Sequence, residues 1–145
     1  MDTRGSKDLA REYYKTALSN LNAARELFKS GYYPEAVFFA QQAVEKIAKA
    51  ILVLSGQNVT GHSISGWLAM EIADKLENVK ALISIVSELE NYVTKARYPF
   101  RVRDHLISPI TFFTRERTEK IIKKAEFAFT TLEQLLTTVY LIKEE

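Results

Sequence analysis

The stretch PEAVFFAQQAVEKIAKAILVL, residues 34–54, decides the fold. Its apolar residues Ala36, Val37, Ala40, Val44, Ile47 and Ile51 return every three or four positions, the period of one helix face. Pro34 suits the first turn of a helix, where its missing N–H costs nothing. Gly56 supplies the stop. The many alanines predict close packing against a neighbouring helix. Working outward, the preceding segment predicts a helix from near Ser6, a good N-cap residue, to about Ser30. Its stripe is Leu9, Tyr13, Ala17, Leu21, Ala24 and Phe28, and Gly31 ends it.

Downstream, Gly56 to Gly61 reads as a turn-rich loop. A shorter helix with Ile64, Leu68, Ile72 and Leu76 on one face follows to about Leu76. Another runs from about Asn78 to Ala96, with Val79, Leu82, Ile83, Val86, Leu89 and Val93 inward. From Arg97 to Phe113 the period breaks, and loops of that length in small domains are often functional. The last helix spans about Thr114 to Ile142, with Ile121, Ala125, Ala128, Leu132, Leu135 and Val139 inward. No segment alternates cleanly with period two, so no strand is expected. The expectation is all-α: an antiparallel up-down helical bundle of about five helices.

At 145 residues the chain fits a single domain over 1–145, with a core over about 8–142. Hydrophobic residues are 47% and charged residues 26%, too apolar for a disordered chain. There is no cysteine, which excludes disulfides, thiolate metal sites and a cysteine nucleophile. The longest clearly apolar run, Ile51 to Leu54, is far short of the ~20 residues of a membrane span. The first residues carry no apolar signal core. A soluble cytoplasmic protein without cofactor or metal is expected. P-loop, dinucleotide-fingerprint, nucleophile-elbow and His-Glu-x-x-His signatures are absent.

Charge is small overall, +2, but unevenly placed. Lys95 to Lys124 holds nine basic and three acidic residues, a net of +6, while the remainder carries −4. Tyr98, Phe100, Phe112 and Phe113 interleave with Arg97, Arg101, Arg103, Arg115 and Arg117. Guanidinium groups pair with phosphate and aromatic faces stack on bases. The segment is therefore a candidate surface for a nucleotide or single-stranded RNA, with Arg97, Tyr98, Arg101 and Arg103 as contacts. The alternative is a solvated basic helix start, with the aromatics filling the end of the core, in a structural partner protein without ligand that neutralises another protein through its helix faces. Arg115 and Arg117 fall near a helix start, where positive charge is disfavoured unless Glu116 and Glu119 offset it.

Of the two histidines, His105 lies in this segment beside Asp104. With Arg101, or alternatively Arg97, it forms a candidate catalytic pair: a general base or acid on a ribose hydroxyl, and a cation on the phosphate. His62 reads as structural or capping. Glu71, Asp74 and Glu77 fit a solvated helix face better than a cation site. Gln42, Lys46 and Lys49 make a polar strip that fits helix support, a dimer contact or a ligand.

The run Leu27, Gly31, Tyr32-Tyr33, Ala36, Phe38-Phe39, Gln41-Gln42-Ala43, Glu45-Lys46, Lys49-Ala50 resembles the first helix pair of HEPN domains, the higher eukaryotes and prokaryotes nucleotide-binding family. His62-Ser63 and Ala96-Arg97-Tyr98-Pro99 are similar too. The resemblance spans about residues 8 to 140. It implies a helical bundle, commonly dimeric, that binds nucleotide or RNA beside a separate minimal nucleotidyltransferase in a toxin–antitoxin-like or nucleotide-handling pair. Many such proteins are metal-independent RNases with four to six residues between an Arg and a His. Here His105 follows Arg97 with seven residues between, Arg101 with three and Arg103 with one. There is no Asp-x-Asp pair, so the chain is not the nucleotidyltransferase itself.

Overall fold

The long helix over residues 33–54 is the axis on which the other helices pack. The computed structural model describes residues 3–143. In chain order its elements are α1 (Thr3–Lys29), α2 (Tyr33–Leu54), α3 (Ser65–Ile72), α4 (Val79–Glu90), α5 (Tyr92–Lys95), β1 (Phe100–Val102), β2 (His105–Ile107), α6 (Pro109–Phe112) and α7 (Arg115–Thr138). The architecture is a helical bundle, as expected. α2 lies chiefly against α1 and α7, and also touches α3, α4, α5 and α6. That is why it is buried on nearly every side and not along one stripe: Ala36, Ala40, Ala43, Ala48 and Ala50 are all fully inaccessible. Alanine at these points lets neighbouring backbones approach closely.

Two glycines make the turns at the ends of α1 and α2. Gly31 and Gly56 have φ of +84° and +89°, a conformation in which a Cβ is costly. In each case the glycine N–H and the following N–H donate back to the last turn. Gly31 and Tyr32 reach Phe28 and Leu27 O, and Gly56 and Gln57 reach Val53 and Leu52 O. This is the Schellman arrangement.

Several boundaries differ from the sequence expectation. α1 begins before Ser6, which lies inside the helix and caps nothing. Its first buried residues are Ala10 and Tyr14, not Leu9 and Tyr13, so the stripe enters the core one residue later. α3 ends at Ile72, and Leu76 is only partly buried. The helix expected over 78–96 is broken at Asn91 into α4 and α5. At the C-terminus Ile142 is buried in place of Val139.

The largest correction lies in the segment expected to be free of strands. β1 and β2 form an antiparallel hairpin pairing Phe100 with Ile107, Arg101 with Leu106 and Val102 with His105. The loop is the two residues Arg103 and Asp104, with φ of 49° and 68°. Positive φ at both positions is what a two-residue type I′ loop requires.

A carboxylate starts α3. Glu90, at the end of α4, accepts from Ile64 N–H at 2.8 Å and Ser65 N–H at 3.3 Å. It satisfies two otherwise orphaned donors and places negative charge at the positive end of the helix. Glu90→Ala is expected to cost about 1–2 kcal/mol in urea unfolding. Glu90→Gln, which keeps one acceptor without the charge, is expected to recover part of it.

Candidate nucleic-acid interface

The basic segment is held to the core by a ladder of aromatic rings. Phe113 is fully buried, and its ring meets Tyr92 at 5.6 Å and Phe112 at 4.9 Å. Phe112 meets Phe100, at the root of the hairpin, at 5.1 Å. These edge-on pairs fix the hairpin and the start of α7 against the bundle. The reading of the aromatics as core filling therefore holds for Phe113, Phe112 and Phe100, while Tyr98 is exposed. Tyr92 also donates to Glu88, and burial with that bond pushes its hydroxyl up to about 12.

Cations line this ladder. Lys95 Nζ lies 5.5 Å from the Phe100 ring centre, and the Arg117 guanidinium 4.1 Å from that of Phe112. Arg97 bonds Val93 O through Nε at 2.8 Å and lies 5.2 Å over Phe38 and 5.3 Å over Tyr98. Stacking on rings holds a guanidinium in place while leaving its donors open. Arg101 donates to Asp104 O at 3.4 Å. Arg103 is exposed at the hairpin tip. Among the described residues, none of Arg97, Arg101, Arg103, Arg115, Arg117 and Lys120 has a carboxylate within 4.0 Å. Arg11, Lys15, Arg25, Lys29 and Lys75 each pair with an acid, as do Lys123 and Lys124 at the end of the segment. Glu119, expected to offset the arginines, turns instead to Lys123 at 3.2 Å. Thr114 caps α7 by accepting from Arg117 N–H at 3.2 Å.

The pleat separates the two residues of the expected catalytic pair. His105 stands opposite Val102, on the face shared with Phe100 and Ile107; Arg101 stands opposite Leu106, on the other face. Neighbours along a strand point to opposite sides. The hairpin thus sets Arg101 and His105 on opposite faces.

A second cluster, which the sequence reading saw only in part, runs along α2. Lys46 donates to Gln42 Oε1 at 2.7 Å, Gln42 to Gln41 Oε1 at 2.7 Å, and Gln41 to Glu45 Oε1 at 3.1 Å. Lys49 donates to Glu45 Oε2 at 3.2 Å. His62, from the loop before α3, sets Nδ1 2.7 Å from Glu45 Oε1. Glu45 is 3% exposed, and donors reach it from both sides. An ionised carboxylate only accepts, so the ring N–H facing it is on His62 Nδ1. The His62 side chain is 49% exposed. It is more than a cap: it is a surface imidazole oriented by a buried carboxylate. Burial lowers the pKa of Lys46, with the Glu45 charge opposing and Lys49 adding to the fall. The strip of Gln42, Lys46 and Lys49 is therefore one chain of aligned dipoles ending on Glu45. Arg97, over Phe38, lies two helical turns from Glu45, roughly 10 Å along α2.

The three carboxylates considered for a cation do not gather. Glu71 accepts from Tyr140 and pairs with Lys75, which also takes Asp74. Among the described residues no cluster of His, Asp and Glu could hold a metal ion. None of the described helices is long and apolar enough to cross a membrane.

The residues of this α2 chain are those on which the family resemblance rests, and comparison decides it. A model of the HEPN domain matches residues 10–135. The chain belongs to the HEPN family. It is similar to a Methanocaldococcus jannaschii protein named "Putative toxin MJ1304", with 32% identity over 141 residues and 93% of each chain covered. Among solved structures it is similar to TT1696 from Thermus thermophilus, with 30% identity and a TM-score of 0.68 over 86% of this chain and 96% of that one. It is also similar to ST0689, an archaeal HEPN homologue, with 26% identity and a TM-score of 0.67 over 88% and 97%. In this HEPN chain the hairpin and the Glu45 chain are the two places where polar chemistry concentrates.

Proposed function

We propose that this HEPN protein is the toxin-like member of a toxin–antitoxin-like pair and holds the phosphates of a nucleotide or RNA on its basic segment. One observation carries the binding reading: six cations from Arg97 to Lys120, two of them seated on aromatic rings, have no carboxylate within 4.0 Å among the described residues. Cations that no carboxylate neutralises leave a surface that an anion can occupy. Arg97, Arg101 and Arg103 take phosphates, and Tyr98 stacks on a base. Family membership and the name of the archaeal relative support the toxin-like role. The partner is a separate nucleotidyltransferase, and the working form is a cytoplasmic homodimer. The test is titration with a short single-stranded RNA, wild type beside a variant with these arginines removed.

A second reading, metal-independent RNA cleavage, is favoured by one specific feature, and it is not the His105 pair. His62 is half-exposed with Nδ1 tied to a buried carboxylate, the arrangement of an oriented general base. In chelator, any cleavage of a generic messenger RNA is expected to fall at least tenfold in His62→Ala and to persist in His105→Ala. Equal loss in both variants, or loss in His105→Ala alone, returns the chemistry to the hairpin.

A further inference from the structure

The hairpin has a size, a charge and a direction that the reading above does not use. Phe100 and Ile107 at its root are partly buried against the aromatic ladder, whereas every residue from Arg101 to Leu106 is exposed. It projects from the bundle as a free two-stranded ribbon. Its loop carries Arg103, one face carries Arg101 beside Leu106, and the other carries His105 beside Val102. Asp104 is the lone acid in it. At its root Lys95 and Arg117 sit on the Phe100 and Phe112 rings at either end of that pair.

A two-stranded ribbon is one of the two elements that fit the major groove of B-form DNA, about 12 Å wide and about 8.5 Å deep. Strands of three residues extend ~10 Å, which matches that depth. A basic tip entering the groove has base edges in reach. Cations beside the root meet the phosphates that flank it. A-form RNA closes this route, because its major groove is deep and narrow. We infer that the β1–β2 hairpin is a groove-entering ribbon, and that through it the segment takes duplex DNA as a further ligand besides the single-stranded RNA proposed above. The inference rests on the reading that this segment carries nucleic-acid phosphates, and it adds which form the projecting part takes.

The test is fluorescence anisotropy with a labelled 20-base-pair DNA duplex, the RNA duplex of the same sequence, and the single-stranded RNA. The variant is Arg101→Ala with Arg103→Asn, because asparagine keeps the left-handed backbone that alanine would strain. Its thermal melt, expected unchanged, shows that the fold is intact. The DNA duplex is expected to bind at least tenfold tighter than the RNA duplex, and the variant to lose at least tenfold for DNA. Methyl green, a major-groove ligand, is expected to compete. Equal affinity for both duplexes, no effect of the variant, or no competition overturns the inference. Binding of single-stranded RNA without duplex DNA overturns it and leaves the RNA reading standing. Absence of binding to all three overturns both.

Discussion

Glu45→Ala is expected to lower stability by about 3–4 kcal/mol, a fall of roughly 10 °C in the melting temperature for a domain this size. The carboxylate is buried, and its two oxygens accept from Gln41, Lys49 and His62. Removing it leaves Lys49, itself nearly covered, without its counter-charge. It also ends the chain in which Gln42 and Lys46 point toward it. An uncompensated buried charge and orphaned amides both cost more than the bonds they replace contribute. Glu45→Gln is expected to cost less, since one acceptor remains. Reversible chemical unfolding checks the order: Glu45→Ala far below Glu45→Gln, with Lys49→Met between them. If Glu45→Ala costs under 1 kcal/mol, the chain is not the cooperative unit described here.

Removal of three arginines together is expected to weaken single-stranded RNA binding about 100-fold. The variant is Arg97→Ala, Arg101→Ala and Arg103→Asn. Each exposed guanidinium–phosphate contact contributes roughly 1 kcal/mol after solvent screening, and the three act on separate phosphates. The same change is expected to leave unfolding free energy within about 1 kcal/mol, because all three side chains are exposed. Arg97 gives up its bond to Val93 O and its place over Phe38. Lys143→Ala, remote in sequence from the basic segment, removes one positive charge elsewhere and is expected to change affinity less than twofold.

The helices were legible because their burial follows a simple period. The core positions Ala17, Leu21, Val44, Ile47, Leu68, Val86, Ala125 and Leu132 all fall on stripes read from spacing, and all are buried. Errors fall where a tertiary partner overrides the local pattern. Leu9 and Tyr13 have the right spacing, but at the end of α1 the neighbours lie one residue further round, under Ala10 and Tyr14. The hairpin escaped because Phe100 to Ile107 has no clean alternation, and because its loop is Arg-Asp, not the Asn-Gly that announces a type I′ turn. Its stability comes from ring contacts with Phe112, which sequence spacing does not display. The polar strip was visible in Gln42, Lys46 and Lys49, but its centre was not. Glu45 looks like an ordinary helix-surface acid, and the His62 that completes it lies 17 residues away. The start of α3 is set the same way, by Glu90 from 26 residues downstream.

The basic residues of the interface were found from composition alone, and the structure supplies their arrangement. Arg97 is tied to α2 through Phe38, whereas Arg101 and Arg103 belong to a projecting hairpin. The first lies against the bundle and the others reach outward. Arg101 and His105 stand on opposite faces of that hairpin, because Arg101 pairs with Leu106 and His105 is the next residue along the second strand.

The most direct test of the central claim is the salt dependence of binding to a labelled 12-nucleotide single-stranded RNA, with chelator present. Contact with three to five phosphates predicts saturable binding whose log–log slope against salt lies between about −2 and −4. No binding at low salt, or affinity that does not change with salt, would contradict the assignment of the Arg97 to Lys120 segment as a phosphate-holding surface.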